Sequence, residues 1–371
     1  VVTCASNFPG GKVYEGYRNR LWQTEMMDGI RVVRVWSYIT ANEGFLKRIL
    51  DYVSFMVAAV AASLFIRGVD VVVGTSPHFF TACGAYLVSR MKRIPFVFEL
   101  RDIWPESIKA VGAMGDSPVI RFLEKVEMFL YGRAARIVSV TESFKRVLIR
   151  RGVDGGKIEV VTNGVDLAGF APREKDHELT ARFGLSGKFV AGYVGTHGMA
   201  HALETILEAA GRMGQRVGGD TYRFILLGNG ARKQELVEAA GRMGLTNVIF
   251  IDSVPKSEVA RYWSLLDVSI IHLKKTELFT TVIPSKLFEC MGMGIPVLHG
   301  VAGESAGIVE REGVGLVFEP ENAGELCEKL EVLRQDKALY QKCHENCLAA
   351  ARRYDRSALA GRMLKILEDI C

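Results

Sequence analysis

The chain predicts an α/β protein with two doubly wound, Rossmann-like domains, and three observations predict it. Short β-branched runs alternate with amphipathic stretches along the whole length, and the series starts afresh near residue 189. A turn-and-linker composition, Thr162-Asn163-Gly164-Val165-Asp166 and then Pro172-Arg173-Glu174-Lys175-Asp176, separates the two series. With 371 residues, 49% hydrophobic and 24% charged, the chain is of ordinary globular composition and long for a single core.

In the first half, Ile30–Val35, Val69–Val73, Pro95–Phe98, Ile137–Val140 and Ile158–Val161 read as buried parallel strands. Helical stretches at Phe79–Met91, Val119–Tyr131 and Ser143–Arg151 separate them, with apolar residues recurring every three or four positions. The second half repeats the scheme at Phe189–Tyr193, Arg223–Leu227, Val248–Ile251, Val268–Ile271, Pro296–Leu298 and Leu316–Phe318. Three segments are expected: 1–165, 166–350 and a terminal piece, 351–371, that docks back on the first domain. Val1-Val2-Thr3-Cys4-Ala5 reads as the end of a strand and not as a signal peptide, so a first strand and helix are expected to be missing.

Seven scattered cysteines, mostly in apolar or helical context, point to a reducing, cytoplasmic setting. Cys343-His344-x-x-Cys347 lacks a second ligand pair, so a helix surface without metal is expected there. The apolar run Val53–Ile66 is too short to span a bilayer, which takes about 20 residues. It reads either as a core helix or as one lying on an anionic membrane surface, flanked by Lys47, Arg48 and Arg67. Residues 1–165 carry 22 Lys+Arg against 15 Asp+Glu, and the remainder 25 against 27. The basic excess suits phosphate-bearing acceptors or anionic lipids; no nucleic-acid-binding motif accompanies it.

Ligands of open parallel sheets bind beyond the strands' carboxyl ends. After Val268–Ile271 the chain runs His272-Leu273-Lys274-Lys275-Thr276-Glu277-Leu278-Phe279-Thr280-Thr281-Val282-Ile283 into Pro284-Ser285-Lys286-Leu287-Phe288-Glu289. Ser285 is expected to cap a helix whose N-terminus, with Lys286 beside it, holds a diphosphate. Glu289, one turn on, is placed to accept from both hydroxyls of a ribose. Val194-Gly195-Thr196-His197-Gly198 and Gly228-Asn229-Gly230 are glycine-punctuated loops without a dinucleotide or Walker spacing. In the first half, Glu99-Leu100-Arg101-Asp102-Ile103-Trp104-Pro105-Glu106-Ser107 follows a buried strand, and Thr75-Ser76-Pro77-His78 occupies a comparable place.

These motifs together resemble the retaining glycosyltransferases of family 4, and within them the bacterial branch that includes L-fucosamine transferases of surface polysaccharide assembly. The resemblance is carried by Arg101-Asp102-Ile103-Trp104-Pro105-Glu106-Ser107, Thr162-Asn163-Gly164-Val165-Asp166, Gly192-Tyr193-Val194-Gly195-Thr196, Gly228-Asn229-Gly230 and Val282-Ile283-Pro284-Ser285-Lys286-Leu287-Phe288-Glu289. It implies the GT-B fold, two facing Rossmann-like domains with an interdomain cleft. It also implies metal-independent transfer of a sugar, such as an N-acetylated deoxyhexosamine, from a UDP-linked donor to a glycan or polyprenyl diphosphate-linked acceptor. The enzyme would be cytoplasmic, with peripheral contact at the inner face of the plasma membrane.

By the same resemblance, Gly195, Thr196, His197, Asn229, Lys274, Thr281, Val282, Pro284, Ser285, Lys286 and Glu289 bind the donor. Asp102, Arg101, Glu106 and Lys286 serve catalysis. Two departures stand out. Thr281 occupies the position of the first of the family's paired glutamates, and Arg101 or Asp102 stands where many members place a histidine. A nucleotide-sugar 2-epimerase of the same fold, which would turn over free donor, and a non-catalytic nucleotide-sugar-binding paralogue are the alternatives.

Overall fold

The computed structural model describes residues 1–7, 11–40, 45–103, 117–216 and 218–371. It divides into two compact units, Val1–Val161 with Arg362–Cys371, and Thr162–Gly361.

The first unit opens with a small sheet of β1 (Val2–Cys4), β2 (Trp22–Met27) and β3 (Ile30–Val35), in the order β1-β3-β2. β1 runs parallel to β3 and β2 antiparallel to it, so this sheet is mixed and not wholly parallel as expected. Asp28 and Gly29, both at positive φ, make the two-residue hairpin turn. Hydrophobic patterning misses β2 because it is a largely exposed edge strand of mixed polarity, whereas Asp-Gly was a readable turn signal. There follow α1 (Phe45–Phe65), β4 (Val72–Thr75), α2 (Phe79–Lys92), β5 (Phe96–Leu100), α3 (Pro118–Arg133), β6 (Arg136–Ser139), α4 (Glu142–Arg150) and β7 (Ile158–Val160). β4-β5-β6-β7 form a parallel sheet in sequence order.

Local chemistry sets these helices. Ser117 caps α3 by accepting from the Ile120 amide, with Pro118 at the first turn, and Thr141 caps α4. The apolar run 53–66 packs one face of α1 against Val2, Val33 and Val35 through Phe55, Ala58, Ala59 and Ala62, leaving Leu50, Val57, Leu64 and Phe65 exposed. No described helix is long and apolar enough to cross a membrane. Buried Glu127 on α3 accepts from the Tyr131 hydroxyl at 2.7 Å and pairs with Arg151 at 2.6 Å, tying α3 to the end of α4.

The second unit comprises α5 (His177–Arg182), β8 (Phe189–Val194), α6 (Glu204–Gly214), β9 (Tyr222–Leu227), α7 (Lys233–Arg242), β10 (Val248–Ile251), α8 (Val259–Trp263) and β11 (Val268–His272). It continues with α9 (Lys286–Met293), β12 (Val297–Gly300), α10 (Glu304–Glu312), β13 (Gly315–Val317), α11 (Ala323–Gln335), α12 (Lys337–Ala351) and α13 (Arg356–Glu368). Its six strands are all parallel, in the order β10-β9-β8-β11-β12-β13. Val190, Val194, Ile225, Leu227 and Ile271 face one core, and Ala191, Tyr193, Phe224, Leu226 and Ile270 the other. Such burial on both faces is why these strands read as continuous apolar runs.

Val165 forms a parallel bridge with Asp355, and its amide donates to Tyr354 O at 2.9 Å. The division therefore falls before Thr162 instead of at residue 165, and residues 351–361 stay with the second unit. In α12, Cys343 and Cys347 are buried, and the Cys347 thiol lies against Ile295 O and Val314 O.

Glu127→Ala takes the acceptor from the fully buried Tyr131 hydroxyl and removes the buried carboxylate that ties Arg151 to α3. It should destabilise the first unit by about 3–5 kcal/mol, seen as a lower apparent Tm in circular dichroism; an unchanged melt would count against this anchor.

Candidate functional site

Numbered along the second unit, the strand order is 3-2-1-4-5-6, which reverses between β8 and β11. In doubly wound sheets this switch point opens a crevice at the carboxyl ends of the strands. Two of the singled-out segments flank it: Gly195–Gly198 follows β8, and Lys274 to Glu289 leads from β11 into α9.

The two meet at Lys286. Its Nζ lies 3.7 Å from the centroid of the Tyr193 ring at the end of β8, a cation–π contact. Gly195, at φ 144, leaves room for it: a Cβ there would come within 2.8 Å of Lys286 Nζ. Among the described residues no carboxylate forms an ion pair with this ammonium. Burial pushes its pKa down to about 7, opposed by the charges of Cys290 and Glu289. The site thus holds a desolvated cation, backed by an aromatic face and lacking a counter-ion.

Ser285 departs from expectation. It adopts helical φ and ψ, and its side chain makes no capping bond. Pro284 O accepts from the Leu287 amide at 3.0 Å, so the chain turns into the helix one residue early and leaves the exposed Ser285 hydroxyl uncommitted. An N-terminus not closed by its own side chain keeps its amides and dipole available to an anion.

Glu289 is half-buried one turn further along. Burial raises its pKa, against the opposing pull of Lys286, Arg356 and Lys256. Arg356 also donates to Gly164 O at 3.3 Å. Thr281 ends a single turn, Leu278–Thr281, with its hydroxyl spent on Leu278 O at 2.8 Å. Val282 is half-buried. Lys274 is half-buried and its amide donates to Ala200 O at 2.8 Å, whereas Lys275 is exposed and paired with Glu319 at 2.6 Å. Of the two lysines, the geometry leaves Lys274 the available one.

The glycine loops after β8 and β9 are locked together. The His197 amide donates to Asn229 O at 2.9 Å, and the Arg232 amide to His197 O at 2.9 Å. A Cβ on Gly228, at φ 144, would strike Gly195 O at 1.9 Å, so only glycine permits this approach. Thr196 and Asn229 are exposed at the rim. His197 is fully buried, with neither ring nitrogen bonded, and its pKa is pushed to about 4 by burial and by the nearby Lys233 and Lys286.

Some participants escaped sequence reading. His272 is not the first loop residue but the buried last residue of β11. Its Nδ1 donates to His201 O and its Nε2 accepts from the Glu321 amide, both at 2.8 Å. The Glu321 carboxylate accepts from the Lys275 amide at 2.7 Å. His272 and Glu321 together hold the start of the β11–α9 loop. A polar residue ending an apolar strand was the available signal for His272; Glu321 gave none.

In the first unit the Arg101 and Asp102 amides converge on the Ser76 hydroxyl at 2.9 and 3.3 Å, and Ser76 donates to Asp102 O at 3.1 Å. Thr75 donates to the Glu99 carboxylate at 2.6 Å. The ends of β4 and β5 are therefore cross-linked, with Arg101 exposed and Asp102 half-buried. Burial drives His78 to a pKa of about 4, so this ring is neutral at physiological pH. Trp104 to Ser107, including Glu106, lies outside the described residues.

Residues 1–164 match the glycosyl transferase 4-like domain, and residues 188–336 match the glycosyl transferases group 1 domain. With both halves of the pair present on this fold, the chain belongs to the GT-B glycosyltransferases. It is 27% identical over 196 residues to alpha-D-kanosaminyltransferase of Streptomyces kanamyceticus, a match spanning 52% of this chain and 49% of that protein. It is 25% identical over 233 residues to D-inositol 3-phosphate glycosyltransferase of Nocardia farcinica, spanning 61% and 50%. The chain thus spans about half the length of the curated relatives it matches. Among solved structures, Anabaena HepE in complex with UDP shares the fold, with a TM-score of 0.71, 17% identity, and coverage of 89% of this chain and 85% of that one.

The lowered pKa of Lys286 has a stability consequence. Unfolding frees the lysine to its ordinary value of about 10.4, so below pH 7 both states carry the charge and the full cost of burying it falls on the folded one. Lys286→Met should raise the Tm of the unliganded protein at pH 6–7, with the gain shrinking as pH climbs towards 10. A destabilised variant at pH 6 would refute the strained-cation description.

Proposed function

We propose that the chain is a retaining, metal-independent hexosyltransferase that takes its sugar from a UDP-linked donor. The observation that carries this reading is half-buried Lys286, its desolvated ammonium without an ion-pair partner among the described residues, at an open helix N-terminus on the switch point of the sheet. A diphosphate leaving group gains negative charge as the glycosidic bond breaks. A preorganised cation and helix amides oppose that charge most strongly where water is excluded. Glu289 receives the ribose hydroxyls, Lys274 adds charge at the phosphate end, and Gly195, Thr196, His197, Asn229, Thr281, Val282, Pro284 and Ser285 line the donor.

With Thr281 in place of an acid, no carboxylate from that position contacts the transferred sugar. A same-face route, in which a departing phosphate oxygen takes the acceptor proton, asks for no such nucleophile. Asp102, Arg101 and Glu106 are proposed to orient the acceptor hydroxyl. UDP as the nucleotide draws support from the HepE complex. An amino sugar such as an N-acetylated deoxyhexosamine draws support from the kanosaminyltransferase relative, named for an amino sugar. The acceptor proposed is a glycan or a polyprenyl diphosphate-linked sugar, in cell-surface polysaccharide synthesis such as that of lipopolysaccharide O antigen. The protein would work in the cytoplasm against the inner face of the plasma membrane.

Thermal-shift and calorimetric titration with UDP and GDP tests the donor site, with UDP expected to bind more tightly. Lys286→Met should weaken UDP binding about 10- to 100-fold, the range for losing a charge-assisted hydrogen bond. Glu289→Ala should abolish detectable transfer to an acceptor while the circular-dichroism spectrum stays unchanged. Near-normal transfer by that variant would sink the ribose assignment, and donor turnover without acceptor would favour an epimerase.

A further inference from the structure

The first unit carries a second concentration of unusual side chains, on the small mixed sheet. Trp22 and Thr24 of β2 stand opposite Val35 and Val33 of β3, and Met26 opposite Arg31, so all six share the face that packs on α1. α1 covers Val33 and Val35 but not the edge strand. Between that edge and the end of α1 lies an open pocket of ≈ 290 Å³, lined by Trp22, Thr24, Arg31, Val33, Phe65, Ile66 and Arg67.

Three features of this pocket belong together. Arg31 and Arg67 are exposed, and neither forms an ion pair with an acid among the described residues; Glu25, the acid on β2, is taken by Arg34 at 2.6 Å. Trp22 Nε1 donates to Thr24 Oγ1 at 3.1 Å, which leaves the Thr24 hydroxyl proton free to donate at the pocket wall. Beside the pocket, Leu21 is 83% exposed and Phe65 79%, more than any other large apolar side chain described, and Met26 on the same strand face as Trp22 is also exposed. Core packing explains none of these three.

We propose that this surface docks on an anionic phospholipid bilayer. Leu21, Phe65 and Met26 enter the acyl boundary, Trp22 lies at the headgroup level, and Arg31 and Arg67 clasp a lipid phosphate in the pocket. Unpaired guanidinium groups match phosphate geometry bidentately, aromatic amphiphiles prefer the interface, and protruding aliphatic groups gain by leaving water. Charge complementarity selects an anionic leaflet over a second protein copy, since two such faces would bring their arginines together. The proposal rests on the membrane contact proposed above and adds to it the surface that makes the contact.

The test is co-sedimentation of the full chain with vesicles of phosphatidylcholine alone and with about one-third phosphatidylglycerol added. Wild type should pellet with the anionic vesicles and stay in solution with the neutral ones, with a blue shift in tryptophan emission that Trp22→Phe removes. Each arginine near such a surface contributes about 1 kcal/mol, so Arg31→Glu with Arg67→Glu should lower partitioning at least about tenfold. Leu21→Ser with Phe65→Ser should lower it too. Retained binding in the charge-reversed variant, equal binding to neutral vesicles, no binding to either, or a dimer that these substitutions dissolve would each overturn the proposal. Both double variants alter exposed positions and should keep the wild-type thermal shift with UDP. Loss of vesicles with UDP binding intact therefore separates this surface from the donor site.

Discussion

One unpaired charge organises the second unit. The Lys286 ammonium lies against the Tyr193 ring and over the Gly195 backbone, with no carboxylate ion-paired to it among the described residues. Burying a cation without a counter-ion is costly, and the lowered pKa of the lysine expresses that cost. The fold tolerates the cost because the surroundings are over-determined. β8 and β11 are adjacent in a fully parallel sheet, and the loops after β8 and β9 are bonded to one another. A site that attracts an anion on binding is one in which the free protein has been left electrostatically incomplete.

The glycines follow from the same demand. Gly195 and Gly228 permit a loop-to-loop approach and a lysine position that a single added carbon would forbid. Around them stand fully buried His197 and half-buried His201, both driven to pKa values of about 4. They stay neutral beside Lys286 and add no second cation to the crevice. His272, fixed by donating to His201 O and accepting from the Glu321 amide, carries the strand's rigidity into the loop that delivers Pro284 to Glu289. The start of the β11–α9 loop is thus held by the sheet and not by the loop's own turn chemistry.

The first unit is anchored differently. There the Ser76 hydroxyl gathers the backbone of Arg101 and Asp102, so the turn after β5 is oriented by the loop after β4. This cross-link is a short polar one between neighbouring parallel strands, and it leaves Arg101 exposed and Asp102 half-buried at the strand ends. The mixed sheet beside it has the opposite character, with an edge strand whose apolar groups face water.

The sequence by itself determined the two α/β series, most strand positions and the place of Pro284 to Glu289 at the entry to a helix beyond a strand's carboxyl end. Strands buried on both faces must be apolar throughout, and a basic loop running into a helix is a local pattern. The Asp28-Gly29 turn signal went unused, and β2 escaped because an exposed edge needs no hydrophobic run. Only the tertiary structure decided that Ser285 does not cap its helix, that Lys275 is spent on Glu319 while Lys274 is not, and that Tyr193 backs Lys286. It decided, too, that Glu321, 46 residues beyond Lys275, holds the loop. Each of these depends on which residues meet across the sheet's switch point, and that meeting is set by strand order, which no local periodicity encodes.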